Sequence, residues 1–219
     1  MSERLAVHEH YDVLIIGAGL AGLTAATELK QAGKQVCVLD KSRGPGGRMS
    51  TRVQGTQQWD HGAQYFTARS AAFRQQLATW LALGVVAPWA TAIGAWEQEQ
   101  LTATAPLPRY VGVPGMKSPL QALASMLNIY FNHQVTGLEK HSQLWRVHTL
   151  EQTFSARQLV LALPAPQAAA LLPPDSAAFA LANAVAMQPC WALMLATSSP
   201  LALPFSGIFV NEGPVAWVA

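Results

Sequence analysis

The hydrophobic pattern is clearest near the start of the chain, where residues 11–16 form a run of β-branched and aliphatic positions (Val13, Leu14, Ile15, Ile16) stopped by Gly17. A short apolar run without alternation is what a strand covered on both faces of a parallel sheet requires. Residues 20–32 are rich in Ala, Leu and Thr and run into Gly33, a residue that readily closes a helix C-terminus. A second apolar run covers 35–39. Strand, glycine turn, helix and strand in that order predict a βαβ unit.

Further along, Phe73, Leu77, Trp80 and Leu81 fall at helical spacing over 71–83, ahead of Gly84. The pattern then predicts a loop at 42–52, short strands within 85–101 and a proline-punctuated connector at 102–108. Ser118 as N-cap and Pro119 in the first turn predict a helix over 118–127. Strands are expected at 129–132 and 134–140, and an antiparallel strand with one wet face at 144–149. A short strand around Phe154 and an apolar strand at 159–163, stopped by Pro164, precede a helix at 165–172. Strands are expected again at 190–196, 207–210 and 215–219. The last run has no polar residue after it and reads as a strand of a longer polypeptide.

Neither long apolar stretch reads as a membrane span. Residues 13–26 are too few and hold three glycines, and 184–205 are broken by Pro189, Pro200 and Pro204. Residues 1–10 are polar and lack the apolar core of a signal peptide, so a soluble, cytoplasmic protein is expected.

The chemistry begins at Gly17-Ala18-Gly19-Leu20-Ala21-Gly22. Alone, G-x-G-x-x-G is a weak signal; directly after a strand and opening a helix, it is a dinucleotide fingerprint. Gly17 makes the turn, Gly19 admits a pyrophosphate close to the backbone, and Gly22 lets helix and strand pack tightly. The helix N-terminus offers N–H groups and partial positive charge to phosphates. Asp40, 18 positions after Gly22, can accept from ribose hydroxyls and argues against a 2′-phosphate there.

The apolar composition fits either a large buried ligand or a missing partner surface. The chain is 51% hydrophobic and 12% charged, against about 25% charged in a typical soluble domain. The net charge of +2 is too small for a nucleic-acid surface, and Lys41, Arg43, Arg48 and Arg52 follow the fingerprint, where phosphates are the fitting partner. Cys37 and Cys190 lie in apolar runs and are expected to be buried free thiols. The six histidines lack metal-ligand spacing, and no metal is expected.

The segment 41–52, with Gly46-Gly47-Arg48-Met49-Ser50-Thr51, resembles the G-G-R-x-x-T signature of FAD-dependent amine oxidases. Trp59-Asp60-His61-Gly62-Ala63-Gln64-Tyr65-Phe66 looks like the segment that runs beside the flavin, and Arg109-Tyr110-Val111-Gly112-Val113-Pro114-Gly115-Met116 resembles the V-G-x-P-G-M loop. Val135 stands where a second adenine-contacting strand would be, and 161–167, through Pro164, resembles a strand end that approaches the cofactor. Together these resemble the renalase-like bacterial NAD(P)/FAD-dependent oxidoreductases of the FAD-dependent amine oxidase superfamily. The Gly-Asp motif and last helix of that family do not occur within these 219 residues.

The resemblance implies an α/β fold: a Rossmann-like FAD-binding domain (1–69 and 109–172) interleaved with an α+β substrate domain (70–108 and 173–219). It implies FAD held by Gly17, Ala18, Gly19, Gly22, Asp40, Lys41, Gly47, Arg48, Gly62, Ala63, Gln64, Val135 and Pro164. The substrate is then small, with a nicotinamide dinucleotide as one candidate, and hydride passes to the flavin with oxygen as acceptor. His61 is the candidate to sit by the flavin ring, and Gln64 and Tyr65 to hydrogen-bond flavin or substrate, although backbone bonding and core packing serve such residues equally well. Trp89, Trp96, Trp191 and Trp217 are candidates for an aromatic pocket. An amine oxidase, a desaturase-type flavoenzyme and a non-catalytic fragment of a flavoprotein remain open beside the renalase-like activity.

Overall fold

The computed structural model describes residues 10–199 and 201–219, so the polar start at 1–9 and the chain break read at Pro200 lie outside the described residues. The fold divides into two compact units, residues 1–50 with 120–191 and residues 51–119 with 192–219. Residues 51–69 and 109–119 therefore cluster with the second unit, and 173–191 with the first.

The first unit is built on a six-stranded sheet. Its strands His10–Ile16 and Val36–Leu39 run parallel, with the helix Leu20–Gln31 between them in sequence, as the βαβ pattern requires. Asn128–Tyr130 adds a parallel strand outside Val36–Leu39, and Thr153–Leu161 adds one on the other side of His10–Ile16. Beyond it, Leu144–Thr149 and Val135–His141 continue as an antiparallel meander. Two short strands were expected around Phe154 and at 159–163; the structure has one nine-residue strand, Thr153–Leu161. The polar interruption at Ser155, Arg157 and Gln158 does not break it, because ladder bonds to His10–Ile16 involve backbone, not side chains.

The central strand alternates strictly between two cores. Val13 and Ile15 pack with Leu23, Ala26, Val38 and Leu120. Leu14 and Ile16 pack with Cys37, Leu39, Val147, Phe154 and Ala156 on the other face. Burial on both faces explains why the sequence shows an unbroken apolar run. Cys37 is a buried free thiol, as expected. The helix starting at Ala165 ends at Ala169, short of 172, and a further helix, Ala177–Asn183, follows with the Ser176 hydroxyl accepting from the Phe179 N–H at 3.1 Å.

The second unit holds a four-stranded sheet in the order Trp217–Val218, Gly207–Val210, Ile93–Glu97, Gln100–Ala103. Two antiparallel strand pairs accompany it: the hairpin Thr51–Gln54 with Gln57–Asp60, and Val86–Pro88 with Tyr110–Gly112, between which the chain passes through the two strands Ile93–Glu97 and Gln100–Ala103. The hairpin and the short 3₁₀ turn Gly47–Met49 replace much of the loop expected at 42–52. The helix Ala71–Ala82 is capped by Ser70, whose hydroxyl accepts from the Phe73 N–H at 3.2 Å. It buries Trp80 in edge-on contact with Phe66 and Phe73.

Three expectations fail here. Residues 190–196 form no strand: they find no ladder partner among the described residues, and Cys190 and Trp191 are exposed rather than buried. Ser118 does not cap from outside the helix; it is the first residue of Ser118–Ala124, and its hydroxyl accepts from the Gly115 N–H behind it at 3.3 Å. Strand Gln100–Ala103 reaches into the expected connector. Among the described residues no helix is long and apolar enough to cross a membrane, and none cluster in threes to hold a metal.

Candidate functional site

In the first unit the fingerprint forms a tight turn at the C-terminal end of His10–Ile16. Gly17 has φ +113°, and a Cβ there would lie 2.5 Å from the Ala162 carbonyl oxygen, so only glycine fits. A Cβ on Gly22 would overlap the Gly17 carbonyl oxygen, with the Ala162 Cβ 3.1 Å away. Both glycines thus permit close packing of turn, helix and the end of Thr153–Leu161. Gly19 differs: a Cβ there would meet nothing within 4 Å. Its missing side chain leaves open space rather than protein contact.

Gly19 is also the N-cap of Leu20–Gln31, with no side-chain cap and no acidic residue in the first turn. The first N–H groups of any helix lack intrahelical acceptors, so donors and the positive end of the helix dipole border that space. A second loop covers the turn: the Gly46 N–H donates to the Ala18 carbonyl at 3.2 Å, and a Cβ on Gly47 would lie 3.3 Å from the Gly19 Cα. Arg48 follows Gly47, is exposed, and no described bond engages its guanidinium.

Asp40 has a task that its spacing did not reveal. Its carboxylate accepts from the buried Ala18 N–H at 2.6 Å and from the Ser42 N–H at 2.7 Å. It fastens the glycine turn to the end of Val36–Leu39, and each oxygen keeps further lone-pair capacity for a ribose hydroxyl. Lys41 donates to the Gln167 amide oxygen at 3.3 Å. Val135 opens the strand Val135–His141, half-buried against the second core. Pro164 caps the helix Ala165–Ala169, two residues past Ala162. Gly17, Ala18, Gly19, Gly22, Asp40, Lys41, Gly47, Arg48, Val135 and Pro164 therefore belong to one unit.

His61, Gly62, Ala63, Gln64 and Tyr65 belong to the other. They follow the hairpin that ends at Asp60, whose carboxylate accepts from the Thr51 hydroxyl at 2.5 Å and from the Met116 N–H at 3.0 Å. Gln58 donates to the Pro114 carbonyl at 2.6 Å. The two motif segments read separately in the sequence, around Asp60 and around Val111–Met116, are thus bound to each other. The His61 Nδ1 is buried without a hydrogen-bond partner among the described residues.

Gln64 accepts through its amide oxygen from the Trp217 indole N–H. Tyr65 packs against Trp89 and Trp217, with ring centroids at 5.7 and 5.5 Å. Of the four tryptophans proposed for an aromatic pocket, Trp89 and Trp217 converge; Trp96 is partly exposed and Trp191 is 94% exposed, and neither joins them. Sequence reasoning missed Arg109 as a site residue; it lies over the Tyr65 ring at 5.3 Å and is buried. Its one available signal is isolation: it is the only charged residue between Glu99 and Lys117.

The residues of the first unit fit the ADP half of FAD: an open face at Gly19, uncapped helix donors, and a carboxylate positioned at the end of the next strand. Residues 15–79 match the NAD(P)-binding Rossmann-like domain. One of the polypeptides of the opine oxidase of Rhizobium meliloti is 56% identical over 43 residues, 20% of this chain and 8% of that one. The fold resembles that of wild-type putrescine oxidase bound to putrescine (TM-score 0.61, 13% identity, 75% of this chain and 60% of that one). It also resembles that of a protein from Exiguobacterium sp. 255-15 assigned as a protoporphyrinogen oxidase (TM-score 0.67, 12% identity, 94% and 70%). The matches span about a tenth or less of such curated relatives and 60% of putrescine oxidase. The flavin containing amine oxidoreductase model covers residues 75–214, well over half of the chain. The chain belongs to the flavin-containing amine oxidoreductases, an FAD-dependent oxidoreductase family built on a Rossmann-like nucleotide-binding fold.

Proposed function

We propose that this chain serves a renalase-like oxidase, in which a small reduced substrate, an isomeric reduced form of NAD(P), gives up a hydride. The observation that carries the nucleotide half of this reading is the open space at Gly19, bordered by uncapped helix N–H groups and covered by the Gly46-Gly47 loop. When bound, FAD would supply the two-electron acceptor for that hydride, with oxygen as the final acceptor and hydrogen peroxide as its product.

The chain's own residues then hold and orient. Gly19 and the first turn of Leu20–Gln31 bind the pyrophosphate, with the buried Ala18 fixing the turn through Asp40 and Gly46; Asp40 binds the ribose, and Gly47 and Arg48 close over the phosphates with charge-assisted donors. Lys41, Val135 and Pro164 complete the adenosine side. In the second unit, Gly62 and Ala63 let backbone come close to a flat ring. His61, Gln64 and Tyr65 orient the reacting substrate; the His61 Nδ1 supports this assignment, since a buried nitrogen without a partner among the described residues has hydrogen-bonding capacity left for a ligand. The first unit is the FAD-binding domain in this reading, and the second the substrate domain.

The test starts from the purified chain, incubated with FAD and freed of excess. A flavin visible spectrum that persists after gel filtration is expected; a colourless protein that takes up no FAD overturns the reading. Anaerobic mixing with isomeric reduced NAD is then expected to bleach the flavin, and simple amines are not. Bleaching by amines alone would move the assignment to amine oxidation.

A further inference from the structure

A cavity of about 550 Å³ lies within the second unit, between the end of Val86–Pro88, the start of Ile93–Glu97 and the segment 103–110. That volume is in the range of small-molecule sites, roughly 300–1,000 Å³. Its lining is mostly alanine, proline, Ile93, Leu107 and the Trp89 indole, and it contains no acidic side chain. One charge lines it: Arg109, only 9% exposed.

Arg109 is poorly matched by the protein. Its Nη1 reaches the Leu107 carbonyl at 3.5 Å, and its Nε is buried with no hydrogen-bond partner among the described residues. The described ion pairs are His148–Glu139 and Arg157–Asp12, so no carboxylate neutralises it there. The guanidinium lies instead over Tyr65 and Phe209, at 5.3 and 6.0 Å from the ring centroids. Aromatic faces stabilise the charge, but they satisfy none of its five N–H donors. Unpaired guanidinium donors away from water are costly. The pairing of Val86–Pro88 with Tyr110–Gly112 holds its backbone in place, since the Arg109 carbonyl accepts from the Trp89 N–H at 2.8 Å.

We infer that this cavity is a binding site for a small carboxylate with a flat, apolar body, and that Arg109 is the group that recognises the carboxylate. The planar fork of the guanidinium matches two carboxylate oxygens, and the Pro, Ala and Trp89 lining accepts the apolar remainder. The site needs no flavin. Failure of FAD uptake would therefore leave this inference standing, and failure of carboxylate selectivity would leave the FAD reading standing.

The test is calorimetric titration of the full chain with benzoate and phenylacetate, against benzamide, phenylacetamide and phenyl phosphate. Each amide keeps the shape of its acid and removes the charge, so the comparison within the wild-type protein does not depend on any variant folding. The acids are expected to bind about tenfold or more tighter than the amides, the size of a lost charge-assisted pair. Arg109→Met, with its thermal midpoint measured alongside, is expected to abolish that preference, and Arg109→Lys to restore part of it. Equal binding of acids and amides, no binding of either acid, a preference surviving in a folded Arg109→Met, or binding of phenyl phosphate alone would each overturn the inference.

Discussion

Gly19→Ala separates ligand recognition from folding more cleanly than any other single change in the fingerprint. In the structure Gly19 has φ −81° and ψ 179°, an extended conformation open to alanine, and the added Cβ meets nothing within 4 Å. Two small effects on stability oppose one another. Replacing glycine where alanine fits stabilises by about 0.4–1 kcal/mol through the unfolded chain, and alanine is a poorer N-cap than glycine by roughly the same amount. The expected net change is within about 0.5 kcal/mol, or under ~2 °C in the thermal midpoint for a chain of this size. For the ligand the same methyl group occupies the space where a pyrophosphate would approach the backbone. Displacing the phosphates from one helix N–H group forfeits a charge-assisted bond of about 1.5–3 kcal/mol, which is roughly a tenfold to 150-fold loss of FAD affinity. The assay is circular-dichroism melting of the flavin-free protein together with FAD titration followed by quenching of flavin fluorescence. Unchanged melting with weakened FAD binding is the expected pair of results. Wild-type FAD affinity in Gly19→Ala would refute the placement of the pyrophosphate at this turn.

Gly22→Ala is expected to do the opposite first: its Cβ overlaps the Gly17 carbonyl, so overpacking of about 1–3 kcal/mol outweighs a helix-propensity gain near 1 kcal/mol, and the flavin-free protein melts earlier. Asp40→Ala strands the N–H of Ala18, a residue with 0% exposure, at a cost of about 1–3 kcal/mol; denaturant unfolding should show the loss without FAD present, and a loss seen only with FAD would mean that Asp40 serves the ligand alone. Trp80→Ala empties a site with 1% exposure between Phe66 and Phe73 and should cost roughly 3–5 kcal/mol, read as a large drop in the urea midpoint.

The parts of this fold that the sequence made legible are those whose cause is local or periodic. Val13 to Ile16 alternate between two buried cores, so the whole run had to be apolar, and Gly22 after it has a local steric reason, the Gly17 carbonyl five positions back. The strand Thr153–Leu161 looked like two because Arg157 and Gln158 interrupt its apolar pattern, yet its continuity comes from backbone pairing with His10–Ile16, some 145 positions away. The opposite error arose at 190–196, where an apolar pattern suggested a strand and the described chain offers it no ladder partner. Apolarity is necessary for a buried strand, but a neighbouring edge decides whether one forms.

The same division runs through the candidate sites. The glycine turn proposed to hold the phosphates is one continuous stretch, and its residues carry their reasons in their spacing. The second unit's polar and aromatic cluster is assembled from distant segments: Trp217 donates to Gln64 across 153 positions, and Arg109 meets Tyr65 and Phe209 from the start of Tyr110–Gly112, between them in sequence. Nothing periodic marks such residues. What does mark Arg109 is a charge placed where the surrounding sequence is otherwise uncharged, from Glu99 to Lys117. A lone arginine in such a stretch must either reach solvent or be kept inside for a partner, and at 9% exposure this one has not reached solvent. With aromatic faces on one side and unsatisfied donors left over, the partner that completes it is an anion that the described residues do not provide.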